Sequence, residues 1–172
     1  MPNIILTGFM GSGKTTVGEV LSRRLDWPLI DMDTEIEREE EMKISEIFST
    51  LGEPAFRDME TEMAEKLSTL NDVVISTGGG VVLRETNISH LRRNGRIICL
   101  MARPETVYER IKDNHDRPLL KGNDPMGKIR ELLEFRMPYY RNADMIIDTD
   151  NLTPDEIVLS IIDGLMSATQ KA

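Results

Sequence analysis

The sequence has few of the features that stabilise proteins in oxidising compartments or anchor proteins in membranes. Of its 172 residues only Cys99 is a cysteine, so an internal disulfide is impossible and a thiolate metal site is disfavoured. No apolar run approaches the roughly 20 residues that a membrane-spanning helix requires. A strand is predicted from Asn3 onward, which leaves no room for a signal peptide. These absences favour a soluble, cytoplasmic protein with no membrane partner, in which Cys99 is an inert core residue.

Positive charge is scarce as well. The chain has 21 Lys and Arg residues against 30 Asp and Glu, a net charge of −9, which disfavours general binding to nucleic acid. A protein of this charge that binds phosphate must place its cations locally, so individual arginines are informative. The sequence shows neither a heptad pattern nor a large apolar helix stripe, and we therefore expect a monomer.

One motif is complete. Residues 8–15 read GFMGSGKT, a G-x-x-x-x-G-K-T loop between a short apolar run and a helical pattern. Such a loop points backbone N–H groups and a helix N-terminus at an anion. Lys14 can then reach the β- and γ-phosphates of a nucleotide, and the Thr15 hydroxyl can ligate Mg²⁺. The alternative is a glycine-rich turn without a ligand.

Apolar runs of strand character alternate with helical patterns along the chain. Strands are predicted at Asn3–Thr7, Pro28–Asp31, Asp72–Ser76, Arg96–Met101 and Asp144–Asp148. Helices are predicted at Thr16–Leu25, Ile44–Leu51, Glu53–Leu70, Asn87–Asn94, Pro104–Lys112, Met126–Ala143 and from Pro154 to about Met166. This alternation predicts one α/β domain, residues 1–172, with a mostly parallel sheet of about five strands. Ligands are expected at the carboxyl ends of those strands.

Two acidic residues and a glycine run follow predicted strands. If Asp31 and Asp33 continue the second strand, they share a face, where one can act near Mg²⁺ and the other on a substrate hydroxyl. The alternative for Asp33 is a helix N-cap. Residues 76–80 read STGGG, which permits close approach by a hydroxylated or anionic ligand, and Ser76 can hold a metal-bound water. The alternative for this run is a plain flexible turn.

Arginines supply the remaining candidates. Arg57 can pair with Glu60 one turn away, as a surface salt bridge or as part of a clamp for a carboxylate. Arg117 lies in a loop at about 113–125 that is rich in Asp, Asn, Gly and Pro, where it can close over a transferring phosphoryl group. Arg110 and Arg136 are further candidates. For each arginine taken singly, the alternative is a surface charge.

Taken together, these segments resemble the shikimate kinase family of small P-loop kinases. The resemblance rests on the phosphate loop, D-x-D at 31–33, F-R-x-x-E at 56–60, T-G-G-G at 77–80 and R-P-L-L at 117–120, in this order, and on Arg136 followed by Tyr139 and Tyr140. It implies a three-layer α/β fold with a five-stranded parallel sheet of order 2-3-1-4-5. It also implies a shikimate-binding region at about 32–62, a lid at about 113–125, and phosphorylation of shikimate by ATP.

The resemblance also implies a set of site residues. The proposed contacts to ATP are Gly11, Ser12, Gly13, Lys14, Thr15, Thr16 and Arg117, with Arg110 and Pro154 beside adenine. The proposed contacts to shikimate are Asp33, Arg57, Gly79, Gly80 and Arg136. Mg²⁺ would be held by Thr15 directly and by Asp31 and Ser76 through water. Lys14, Asp33 and Arg117 would carry catalysis.

The residues alone leave other functions open. A kinase for another small hydroxy acid, such as gluconate, also needs two arginines for one carboxylate. A nucleoside monophosphate kinase would show a D-G-x-P-R-type segment, and a GTPase switch would show N-K-x-D, and neither occurs in the sequence. A regulatory module that only binds ATP would be expected to lose Lys14, Asp33 or Arg57, all of which are present.

Overall fold

A parallel sheet with helices on both faces organises the protein, seen in a computed structural model that describes residues 2–113 and 123–169. The strands are β1 (Asn3–Gly8), β2 (Leu29–Asp31), β3 (Val74–Ser76), β4 (Gly95–Met101) and β5 (Met145–Asp148). The α-helices are α1 (Lys14–Leu25), α2 (Met32–Glu40), α3 (Ile44–Thr50), α4 (Gly52–Leu67), α5 (Glu85–Arg92), α6 (Pro104–Ile111), α7 (Pro125–Tyr140) and α8 (Pro154–Thr169). A 3₁₀ turn at Val81–Leu83 precedes α5.

The strand order is β2-β3-β1-β4-β5, and every pairing is parallel. The predicted fold class, strand number and order are therefore confirmed. All six residues of β1 are buried, because this strand lies at the centre of the sheet and is covered on both faces. Side chains of a strand alternate between the faces, so Ile5 packs toward α4, α5 and α7, while Ile4 and Leu6 pack toward α1 and α8.

The register places three strand ends beside one another at the carboxyl edge. Asp31 on β2 pairs with Ser76 on β3, and Ser76 pairs with Leu6 on β1. Partners in a parallel ladder point to the same face at about 5 Å spacing. The sheet therefore brings Asp31 and Ser76 together beside the loop that follows β1.

Several element boundaries differ from the sequence prediction. Helix α1 begins at Lys14, two residues earlier than predicted, and α4 ends at Leu67, three residues earlier than predicted. Helix α7 continues through Pro138 to Tyr140, whereas the sequence predicted an end at Ala143. Proline removes one backbone donor, and the helix ends within its next turn.

Cys99 has no exposed surface, and burial raises the pKa of its thiol to about 11, which confirms a core cysteine. None of the helices within residues 2–113 and 123–169 combines the length and the apolar character needed to cross a membrane.

Candidate active site

The loop between β1 and α1 has the backbone conformation that its glycines predict. Gly8, Gly11 and Gly13 have φ values of 138°, 75° and 97°, which side chains with a Cβ atom rarely adopt. Gly13 caps α1, so Lys14 and Thr15 occupy the first turn of the helix. This turn carries the unpaired N–H groups and the positive end of the helix dipole.

Lys14 lies across the mouth of this loop. Its Nζ donates to the carbonyl oxygens of Gly8 at 2.8 Å and Phe9 at 3.0 Å. The ammonium is therefore fixed above the backbone that would hold phosphate oxygens.

Asp31 and Asp33 belong to different elements. Strand β2 ends at Asp31, whose Oδ1 accepts a hydrogen bond from the backbone N–H of Thr34 at 3.0 Å and so caps α2. Asp33 lies in the first turn of that helix. The expected strand face shared by the two aspartates is wrong, and so is the alternative that Asp33 is the cap. The sequence did not distinguish the two, because either aspartate can begin a helix.

Asp33 nevertheless points into the region beside the phosphate loop. Its Oδ1 is buried and has no hydrogen-bond partner among the described residues. Burial, followed by the negative charge of Asp31, raises the pKa of Asp33 to about 6, against the opposing charges of Lys14 and Arg57. A carboxyl group with this pKa is ionised at neutral pH and close to the range suited to proton transfer.

The three glycines at 78–80 each lie beneath a different charged side chain. A Cβ atom on Gly78 would lie 2.7 Å from Asp33 Oδ1, and one on Gly80 would overlap the guanidinium of Arg57. A Cβ atom on Gly79 would lie 3.6 Å from Arg136 Nη1, an ordinary contact. The glycine run therefore lets three charged groups approach the same stretch of backbone, and a plain flexible turn does not describe it.

Arg57 is held by two carboxylates on its own helix. Its Nη1 donates to Glu60 Oε2 at 2.7 Å, and its Nη2 donates to Glu53 Oε1 at 2.8 Å. The side chains of Arg57 and Glu60 are only 14% and 1% exposed, so the surface salt bridge considered for this pair is wrong. Burial lowers the pKa of Arg57, but the bonds from Glu60 and Glu53 outweigh it and raise the pKa overall.

Arg136 reaches the same glycine run from α7. Its Nη1 donates to the Gly79 carbonyl at 3.3 Å, and Tyr140 Oη donates to the same oxygen at 2.7 Å. The guanidinium carbon lies 5.7 Å from the centre of the Phe9 ring. Arg136 Nε is buried without a hydrogen-bond partner in the described chain. Two arginines from different helices thus face one small region.

Arg110 lies on the opposite side of the phosphate loop. From α6 it donates hydrogen bonds to the Gly11 carbonyl and to Thr149, which follows β5. Pro154 begins α8 behind the capping box that Thr153 forms with Glu156. The expected contacts of Arg110 and Pro154 with adenine remain predictions.

One cavity of about 670 Å³ connects these groups. Its polar and glycine lining includes Gly11, Gly13, Lys14, Thr15, Thr16, Asp31, Asp33, Arg57, Ser76, Gly79, Gly80, Arg110 and Arg136. Ser12 is buried, and neither Ser12 nor Pro154 lines the cavity. Arg117 and most of the expected lid lie outside the described residues.

The cavity also has apolar and acidic lining that sequence reasoning missed. Phe48 lies against Phe56 with ring centres 4.8 Å apart, and Glu53 binds Arg57 from the rim. The i,i+4 spacing of Glu53 and Arg57 was a signal for the pair. The contact of Phe48 with Phe56 depends on how α3 packs against α4, which the spacing does not reveal.

Comparisons with known proteins agree on one family. Residues 10–166 match the family model for shikimate kinase. A shikimate kinase from Caldicellulosiruptor bescii is 51% identical over 162 residues, covering 94% of each chain. One from Caldicellulosiruptor saccharolyticus is 47% identical over 171 residues, covering 99% of each chain. A solved structure, the shikimate kinase from Acinetobacter baumannii in complex with shikimate, is 36% identical with a TM-score of 0.91, covering 98% of this chain and 94% of that one.

Proposed function

The chain belongs to the shikimate kinase family, and from that membership we propose that it transfers the γ-phosphoryl group of ATP to the 3-hydroxyl of shikimate. The products are ADP and shikimate 3-phosphate, on the route to chorismate and the aromatic amino acids. The observation that carries the proposal is that one cavity contains both a phosphate-binding loop and a pair of arginines beside Asp33.

The donor half of the site is the loop and the first turn of α1. Gly11, Ser12, Gly13 and Thr16 contribute backbone N–H groups, and Lys14 adds a positive charge next to the transferring phosphoryl group. Ser12 does not line the cavity, so it acts through its backbone, and Pro154 stays, with Arg110, a proposed contact to adenine.

The residues present fit a magnesium ion beside this half. The Thr15 hydroxyl would ligate the ion directly, while Asp31 and Ser76, which are partners across β2 and β3, would hold its waters. Asp31 Oδ2 accepts no hydrogen bond within the described chain, since the helix cap uses Oδ1. The described residues contain no cluster of three or more His, Cys, Asp or Glu side chains that could hold a metal, which suits an ion ligated mainly by water and phosphate. When bound, Mg²⁺ neutralises charge on the phosphates.

The acceptor half is formed by Asp33, the glycine run and the two arginines. A carboxylate placed between Arg57 and Arg136 can accept paired N–H bonds from both guanidinium groups. Gly79 leaves room for the ring of the acceptor above the backbone, and Gly80, the second proposed glycine contact, leaves room for the Arg57 guanidinium. The unpartnered buried atoms Asp33 Oδ1 and Arg136 Nε support a polar ligand here, because such groups are costly unless they are hydrogen-bonded.

Asp33 orients the attacking hydroxyl and accepts its proton. A phosphoryl transfer of this kind depends on positioning and on charge stabilisation. Lys14 and the loop N–H groups balance the charge on the phosphoryl group, together with Arg117 from the lid at about 113–125. Closure of this lid would exclude water and so suppress ATP hydrolysis.

The proposal also covers the domain organisation, the oligomeric state, the location and the partners of the enzyme. We infer one domain spanning residues 1–172, acting as a cytoplasmic monomer on ATP and shikimate alone. The net charge of −9 supports the absence of a nucleic-acid partner.

A coupled assay of ADP release tests the function. Shikimate should stimulate ADP release strongly and gluconate should not. In the Arg57→Ala variant the response to shikimate should fall at least about a hundredfold, while calorimetry still shows ATP binding. Arg23→Ala, an exposed arginine on α1, is the matched control and should behave as the parent does.

Three results would contradict the proposal. Faster ADP release with gluconate would indicate a kinase for another hydroxy acid. ATP binding without any acceptor-dependent release would indicate a binding module. Unchanged affinity for shikimate in Arg57→Ala would contradict the carboxylate clamp.

A further inference from the structure

Arg110 joins three segments at the rim of the cavity. From α6, its Nη1 donates to the Gly11 carbonyl at 3.1 Å and to Thr149 Oγ1 at 3.2 Å. Its Nη2 donates to the Thr149 carbonyl at 3.2 Å. A guanidinium donates hydrogen bonds in its own plane, so these three bonds involve the edge of the group and neither of its flat faces.

Thr149 is itself fixed to the end of the sheet. It has no exposed surface, its Oγ1 donates to the Met101 carbonyl at 2.9 Å, and its N–H donates to the same oxygen at 2.8 Å. A hydroxyl has one proton and two acceptor sites, so the bond to Met101 leaves Oγ1 as an acceptor toward Arg110. Met101 ends β4, and Thr149 directly follows β5. The anchor of Arg110 is therefore the rigid carboxyl edge of the sheet.

We propose that Thr149 is a positioning residue for the nucleotide base. It holds the edge of the Arg110 guanidinium beside the phosphate loop, so that a flat face of the group is presented to the adenine of ATP. This inference rests on the proposed function, which puts the nucleotide phosphates at the adjacent loop.

The physical advantage is that the arginine is ordered before the ligand binds. A long exposed side chain loses rotamer freedom when it is fixed against a ligand, and this loss lowers affinity. Arg110 is exposed, but its three hydrogen bonds already determine the plane of its guanidinium. A planar cation offers an aromatic base a stacking surface. Thr149 accepts two of the three bonds, one through its side chain and one through its backbone.

The side chain of Thr149 can be tested separately from its backbone. Valine has nearly the same shape as threonine but cannot accept a hydrogen bond, whereas serine retains the hydroxyl. In Thr149→Val we expect ADP affinity, measured by calorimetry, to fall about tenfold, the value of one hydrogen bond to a charged group. The affinity for shikimate should change less than about twofold, and Thr149→Ser should restore most of the ADP affinity. Thr86→Val, an exposed threonine on α5, is the control.

A double-mutant cycle separates positioning from a general structural role. In the Arg110→Ala background, Thr149→Val should cause no further loss of ADP affinity, because its effect passes through the arginine. Additive losses, or equal losses of ADP and shikimate affinity, would overturn the proposal. If Thr149→Val does not fold, Arg110→Lys decides the matter. Lysine keeps the charge without the planar fork, and ADP affinity equal to that of the parent would overturn the proposal.

Failure of this inference is distinguishable from failure of the proposed function. A parent protein that binds ADP but shows no coupling between Thr149 and Arg110 contradicts only the positioning role. A parent protein that binds no nucleotide contradicts both.

Discussion

The Arg57 guanidinium lies 2.7 Å from the Glu60 carboxylate, and only 1% of the Glu60 side chain is exposed. On its other side the same guanidinium lies 2.8 Å from Glu53, whose side chain is 60% exposed. One arginine thus has a buried and an exposed partner of the same residue type. This arrangement provides a matched comparison between a buried and an exposed ion pair on a single helix.

We expect Glu60→Ala to lower the free energy of unfolding by about 3 kcal/mol, because it leaves the Arg57 charge without its buried partner. Glu53→Ala should lower it by less than about 1 kcal/mol, since an exposed pair contributes little. Urea unfolding of the two variants and the parent measures the difference. Equal losses for Glu53 and Glu60 would mean that burial does not govern the strength of these pairs.

The fold was predictable because its signals are local. The phosphate-loop motif requires a strand before it and a helix after it. Short apolar runs separated by helical patterns indicate a parallel sheet. The motifs that carry the family resemblance also place Lys14, Asp33, Arg57 and Arg136, which do line one cavity. Their roles in binding and catalysis stay predictions.

The features that the sequence did not predict are of two kinds. In one, two residues suit the same structural role, and in the other, the contact forms between elements that are distant in sequence. Asp31 and Asp33 both suit a helix N-cap, and only the position where β2 ends decides between them. Glu60 looked like half of a surface pair, because a spacing of three residues does not show which face of α4 is buried. Thr149 gave no signal at all, since its partners Met101 and Arg110 come from other elements.

Replacing Lys14 with methionine should stop turnover without unfolding the protein. The ammonium is bound to the carbonyls of the phosphate loop, and a nucleotide would place its phosphates beside it. We expect kcat to fall at least about a hundredfold, in line with the loss of one charged group from a transition state. Lys128→Met, which removes an exposed lysine from α7, is the control. A folded Lys14→Met protein with kcat near that of the parent would disprove the assignment.

Alanine at Gly79 and at Gly80 should have different effects on stability. A Cβ atom on Gly79 meets its nearest neighbours at 3.5 Å or more, so Gly79→Ala should change the free energy of unfolding by less than about 0.5 kcal/mol. A Cβ atom on Gly80 overlaps the Arg57 guanidinium, which Glu60 and Glu53 hold in place, so Gly80→Ala should cost about 1–3 kcal/mol through overpacking.

The affinity of the two glycine variants for shikimate should fall in both cases. Gly80→Ala displaces the arginine, whereas Gly79→Ala places a methyl group where the acceptor would lie. Thermal unfolding and calorimetry with shikimate measure the two effects independently. Undiminished shikimate binding by a stable Gly79→Ala protein would remove Gly79 from the proposed site.

The pH dependence of catalysis should report Asp33. Its pKa of about 6 predicts that kcat/KM for shikimate falls tenfold per pH unit below about pH 6, as the carboxylate becomes protonated. Asp33→Asn should lower kcat by about a hundredfold or more and remove this acid limb, while ATP affinity is retained. The profile is measured with saturating ATP in buffers of constant ionic strength. An acid limb that persists unchanged in Asp33→Asn would assign it to another group.

The same raised pKa predicts that Asp33 destabilises the folded protein. In the unfolded chain Asp33 has its ordinary pKa of 3.8, and in the folded protein about 6, so folding favours the protonated form. The penalty is absent below about pH 3.8, develops as the pH rises toward 6, and stays constant above that. Because one pKa unit corresponds to 1.36 kcal/mol, Asp33→Asn should stabilise the protein by about 3 kcal/mol at pH 8 and by almost nothing at the acid end. Urea unfolding of parent and variant across this pH range tests the sign of the difference in free energy of unfolding. A variant less stable than the parent at pH 8 would show that the Asp33 carboxylate stabilises the fold instead.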